Sequence, residues 1–149
     1  MPEKQSQRYR QVVDHVAGLA QQMTNDPPRI QYFCRVAGVS PRMLRRAFHH
    51  VHGTSPCRYI RRLRMNQVRK ALSSASSLNV TITHVATDFG FVELGRFSVE
   101  YRAIFGECPS ATLRRALASQ THINARRAGS AFVQSSDRSR AVQLHEVGV

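Results

Sequence analysis

Arg42, Arg45, Arg46 and His49 lie three, one and three residues apart, a spacing that puts all four on one face of a helix. Guanidinium groups in such a row suit a polyanionic duplex. The planar fork of Arg matches the O6 and N7 acceptors of guanine in a major groove, and its neighbours can hold phosphates. Any one of these side chains could be an ordinary solvated surface charge. Four cationic or protonatable groups on one face make the groove reading stronger. Arg58, Arg61 and Arg62, joined by Arg69, fall on the outer side of a later segment whose apolar residues Ile60, Leu63, Val68, Ala71 and Leu72 turn inward. That placement suits phosphate contacts rather than base reading.

Other chemistries fare worse. His49, His50 and His52 stand near Cys57, but their spacing fits no standard zinc pattern, so no metal or cofactor is expected. No carboxylate pair, glycine-rich phosphate loop or Ser/Cys–His–Asp constellation stands out, and an enzyme is not expected. Cys34, Cys57 and Cys108 are odd in number, far apart and free of any CxxC pairing. They read as reduced, cytoplasmic thiols, with Cys34 at a helix-packing position. Phe91 and Phe105 read as core rather than base-stacking platforms.

The charge balance agrees with a nucleic-acid partner. Over 149 residues, 22 Lys and Arg face 9 Asp and Glu, a formal +13, far from the balance of an ordinary metabolic enzyme. Residues 1–115 hold 18 basic against 7 acidic groups, and no acid occurs between Asp26 and Asp88. With 42% hydrophobic residues the chain can build a core. No apolar run approaches the roughly 18–20 residues of a membrane span, so no membrane partner is expected.

Helical signals recur and strand signals are nearly absent. Residues 9–23 carry an apolar stripe (Val12, Val13, Val16, Leu19, Ala20, Met23) that ends at Asn25-Asp26-Pro27-Pro28. A short helix is expected over 30–37, with Gly38 as its stop. Ser40-Pro41 and Ser55-Pro56 each read as an N-cap followed by proline at the first helical position. They open helices to about residue 52 and about residue 72. Residues 73–79 form a polar linker. Short and longer helices follow over 82–88 and 94–105, Gly106 stops the second, and Pro109 starts a last one through 117. Residues 118–149 lose the periodicity and are expected to form a mostly disordered tail.

The second half repeats the first. Cys34 aligns with Ala86 and Gly38 with Gly90, 52 residues on. After one inserted residue, Leu44 aligns with Phe97, Phe48 with Tyr101, Gly53 with Gly106 and Pro56 with Pro109. Each unit is a short helix, a glycine turn and a longer helix, the plan of a helix-turn-helix, at about 30–52 and about 82–105. The small residue four positions before each glycine lets two helices cross closely. The linker helix between the units, about 56–72, spans ~25 Å at ~1.5 Å per residue. Two protruding helices at its ends would lie close to one DNA turn apart, ~34 Å, once their radii are added. One chain could then read two successive major grooves as a monomer.

These residues also carry a family resemblance. Gly38-Val39-Ser40-Pro41-Arg42-Met43-Leu44-Arg45-Arg46-Ala47-Phe48, then Gly53-Thr54-Ser55-Pro56 with Tyr59-Ile60, resembles the first half of the AraC/XylS-type DNA-binding domain. Ile82, Val85-Ala86, Gly90-Phe91, Phe97, Tyr101, Phe105-Gly106 and Pro109-Ser110 resemble its second half. The match covers about residues 8–115. The resemblance implies an all-α, two-lobed domain of about seven helices that binds double-stranded promoter DNA, regulates transcription and often contacts RNA polymerase, in the cytoplasm at the nucleoid. Carried over by position, Arg42, Arg45, Arg46 and His49 face the first groove, and Leu94, Gly95, Arg96 and Val99 the second.

The chain departs from the family pattern at several points. Arg96 is the only strong hydrogen-bond donor among the four second-groove positions, so the second unit should specify weakly, through thymine methyls or backbone positioning. Cys108 and Arg29 stand at expected N-caps, and His84 sits in a first turn that favours acids. Many relatives carry an effector or dimerisation domain ahead of this module, where only residues 1–7 precede it here. The sequence offers no effector pocket. The competing expectation is a truncated regulator that binds nucleic acid without sequence preference.

Overall fold

The computed structural model describes residues 2–23 and 28–142, and side chains from Glu3 to Arg126 within them. Among the described residues the regular structure is entirely helical: α1 Pro2–Gln22, α2 Ile30–Val36, α3 Pro41–His52, α4 Pro56–Ser73, α5 Ile82–Asp88, α6 Leu94–Phe105 and α7 Pro109–Val142. Local chemistry accounts for most of these bounds. The hydroxyls of Ser40, Ser55 and Thr81 accept the backbone N–H of Met43, Arg58 and His84 at 3.3, 3.4 and 3.2 Å, each satisfying a donor that a helix start leaves without an intrahelical partner. Gly38 and Gly90 take φ of 62° and 82° in the two inter-helix turns, a left-handed backbone that a side chain would strain. Arg29 makes no side-chain cap bond to α2. The amides of Ala111 and Thr112 reach the Cys108 carbonyl. His84 pairs with Asp88 one turn on, at 3.6 Å.

Two helix bounds differ from the sequence expectation. α1 starts at Pro2 rather than near Tyr9, because Glu3, Lys4, Gln5, Gln7 and Arg8 are good helix formers that extend the turn without needing a core. α7 continues to Val142, well past the end of apolar periodicity near Leu117. Residues 118–142 of the expected tail therefore carry helical backbone, with the side chains of 121–126 exposed. Residues 143–149 lie outside the described residues.

Two cores form, and α4 belongs to both. The first gathers Val13, Val16 and Ala20 of α1, Phe33 and Cys34 of α2, Leu44, Ala47 and Phe48 of α3, and Ile60 from the first half of α4. The second gathers Met65, Val68 and Leu72 from the other half of α4 with Val85, Ala86, Phe91, Phe97 and Tyr101. Each large side chain removed from water contributes about 1.5–3 kcal/mol. The shared α4 therefore ties the two small lobes together by giving side chains to both cores. Cys34 and Ala86 are both buried at the helix crossings, as their small size requires. Burial pushes the Cys34 thiol above its usual range, which keeps it an inert packing group.

The lobes are closed differently. α1 lays its stripe along α3 and α4, with Gln67 of α4 donating to the Gln21 carbonyl at 2.9 Å. α7 closes the second lobe against α4, through Leu113 and the buried Thr112. There the Tyr101 and Thr112 hydroxyls meet at 2.8 Å, and Thr112 donates to Glu107 at 2.8 Å. Arg115 also bonds Glu107, at 2.7 Å, while Arg69 lies 3.8 Å away. These bonds from Thr112 and Arg115 hold the Glu107 carboxyl below the ordinary carboxylate range.

Candidate nucleic-acid interface

α3 presents its cationic face because its other face is fixed. Leu44, Ala47 and Phe48 are fully buried, so the 100° step per residue turns Arg42, Arg45, Arg46 and His49 outward. All four are exposed. Among the described residues no carboxylate pairs with any of the three arginines. The structure thus brings together the four side chains that the sequence grouped. It adds one that the sequence missed: Arg8 of α1 lines a hollow with Arg42 and Arg46. Only the early start of α1 brings it there, and no motif marks it. Ser6 and Tyr9 anchor this turn on α3, with Ser6 Oγ 3.1 Å from His50 Nε2 and the Tyr9 and His50 rings edge to face.

The histidines do not converge on Cys57. His50 turns to α1, whereas His52 stacks on Tyr59 of α4 with ring centroids 4.5 Å apart.

α6 is built on the same frame with a different surface. Phe97 and Tyr101 are fully buried, which leaves Gly95, Arg96 and Val99 exposed. Val99 is 71% exposed and gives this face an apolar side chain where α3 has a cation or histidine. Leu94 departs from expectation: it is half-buried and packs on the second core, since its position falls on the inner edge of the helix beside Phe97 and Tyr101. Arg102, exposed one turn beyond Val99, extends the outer face, and no sequence motif marks it.

The one arginine in the first turn of α6 is partly neutralised. Glu100 lies 3.5 Å from Arg96 on its own helix and accepts a 2.7 Å hydrogen bond from Arg61 Nε of α4. Arg61 also stands over the Phe91 ring at 5.2 Å. The three arginines assigned to phosphate contact therefore divide. Arg58 and Arg62 border an open hollow with His52, Tyr59 and Asn66. Arg61 is turned toward the second lobe and tied to Glu100.

Among the described residues no helix is long and apolar enough to cross a membrane. Comparison with known proteins matches this architecture. The family profile described as a helix-turn-helix domain matches residues 33–115. The chain is 43% identical over 84 residues to XylDLEGF operon transcriptional activator 2 of Pseudomonas putida, covering 56% of this chain and 54% of that protein. It is 41% identical over 86 residues to the XylDLEGF operon transcriptional activator of the same organism, covering 58% of this chain and 27% of the activator. The chain thus spans between about a quarter and about half the length of these curated relatives. A crystal structure of a probable AraC family transcriptional regulator from Rhodopseudomonas palustris superposes with a TM-score of 0.66 at 33% identity, over 72% of this chain and 98% of that one. With two helix-turn-helix units on a shared α4 and these matches across them, the chain belongs to the AraC/XylS-type family of helix-turn-helix transcriptional regulators and carries its DNA-binding domain, a family of regulators rather than enzymes.

Proposed function

We propose that this domain recognises a specific asymmetric site on duplex DNA by seating α3 and α6 in two successive major grooves, and that α3 supplies most of the sequence discrimination. The observation that carries this reading is the row Arg42, Arg45, Arg46 and His49, exposed and free of carboxylate partners among the described residues, on a helix whose opposite face is fully buried. Arg45 and Arg46 read base edges, and Arg42 and His49 flank them. Arg8, Arg58 and Arg62 neutralise phosphates. Gly95, Arg96 and Val99 meet the second groove through close backbone approach, one donor shared with Glu100, and an apolar contact suited to a thymine methyl. Leu94 contributes by seating α6 rather than by reading a base. The domain acts as a monomer, since one chain already carries both reading helices, and regulates transcription beside RNA polymerase at the nucleoid.

Selection from a pool of random duplexes tests this directly. The expected outcome is one asymmetric site of about two helical turns, sharply defined in the half under α3 and loosely defined in the half under α6. Enrichment of no sequence at all would replace the proposal with charge-driven, sequence-indifferent binding.

A further inference from the structure

Between the lobes lies a cleft of about 300 Å³ whose lining includes none of the α3 and α6 residues assigned to base reading. Its floor is apolar: Phe33, Ile60 and Phe91 line it, each no more than 5% exposed. Its rim is cationic, formed by Arg29, Arg61 and Arg64. Arg61 has its counter-charge in Glu100, but Arg64 is half-buried and, among the described residues, has no carboxylate partner. Burial and the neighbouring Arg61 push the Arg64 guanidinium below its ordinary value, as expected of a cation lacking a counter-ion. An apolar floor with a few convergent polar groups is the usual build of a small-molecule site, at the small end of the size range.

We propose that this cleft binds a small amphipathic anion, its carboxylate or sulfonate head on Arg64 and Arg29 and its apolar body on Ile60, Phe89 and Phe91. A guanidinium binds such a head through paired hydrogen bonds, and a low-dielectric floor strengthens the attraction. A phosphate of the DNA backbone would use the same arginines but gain nothing from the aromatic floor. The occupant touches α2 and α4 on one side and the α5–α6 turn on the other. It therefore bridges the gap that Arg61 and Glu100 already span. Its influence on the angle between α3 and α6 rests on the two-groove reading, whereas its binding does not.

The test uses the whole chain without DNA, so its failure is separable from failure of that reading. The probe is the fluorescent anion 8-anilinonaphthalene-1-sulfonate at near-physiological salt. It should bind one site per chain, be displaced by octanoate and resist displacement by inorganic sulfate at matched ionic strength. Arg64→Gln should weaken it at least tenfold, while Lys70→Gln, which removes the same charge from an exposed site at the far end of α4, should leave it unchanged. Cys57 lines the cleft and Cys108 does not, and both are exposed. Bound probe should therefore slow iodoacetamide alkylation of Cys57 alone. Equal losses in the two variants, displacement by sulfate, or equal protection of both thiols would overturn the assignment.

Discussion

The two helix-turn-helix units share a skeleton and differ in skin. Cys34 and Ala86 make the same close crossing, Gly38 and Gly90 the same turn, and Leu44/Phe48 and Phe97/Tyr101 the same buried anchor. Outside, α3 carries three arginines without carboxylate partners among the described residues. α6 carries Gly95, Val99 and an Arg96 that shares Glu100 with Arg61. Buried positions answer to packing, which tolerates little change in volume. Exposed positions answer only to what they touch in use. A duplicated frame can thus keep its fold while the outer faces of its two copies diverge, as the proposed division between discrimination and positioning requires.

The comparison can be broken first at the anchors. Phe48→Ala and Tyr101→Ala should each cost about 3–5 kcal/mol, the usual range for removing a large buried aromatic side chain. Urea denaturation checks this. A loss near zero in either unit would mean that the frames are not equivalent. The skins separate next. On a selected site, Arg45→Ala should cost about 1–3 kcal/mol of binding free energy and relax discrimination at one base, whereas Arg96→Ala should cost less than about 1 kcal/mol. Equal losses in a binding titration would erase the proposed division of labour.

The closing elements give smaller effects. Ser40, Ser55 and Thr81 cap their helices with side-chain oxygens, while α7 starts behind Cys108. Cys108→Ser should stabilise the second lobe by about 0.5–1 kcal/mol, visible as a higher urea midpoint. A drop in the midpoint would show that the thiol packs better than a hydroxyl caps. Glu107 adds a pH signature to the second lobe. Its folded pKa is depressed, so the stability it contributes is present above its unfolded value of 4.5 and is lost as pH falls through the lower folded value. Amide exchange followed down an acid titration should show α6 and α7 loosening before α3. Loosening in the reverse order would assign acid sensitivity to some other group.

Most of the frame was legible in the sequence because its determinants are local. Ser40, Ser55 and Thr81 announce helix starts by hydrogen bonds three residues long, and the apolar spacing of Leu44 and Phe48 fixes which way α3 faces. The repeat then assigns Phe97 and Tyr101 the same task. Less of the candidate interface could be read. Arg61 looks like any outward arginine in a row, and nothing nearby marks Glu100, 39 residues away, as its partner. Arg8 sits in a polar stretch with no periodicity, and Leu94 at a helix edge where an inner and an outer reading are equally allowed.

The order of residues by itself determined most helix bounds, the two-unit repeat and the direction of the α3 arginines, because backbone hydrogen bonding and helical periodicity act over a few residues. Only the tertiary structure decided which cations pair with carboxylates, which α6 positions face outward, and that a basic-rimmed apolar cleft opens between the lobes. Those properties depend on contacts between side chains tens of residues apart, and charge pairing and cavity shape leave no periodic trace along the chain.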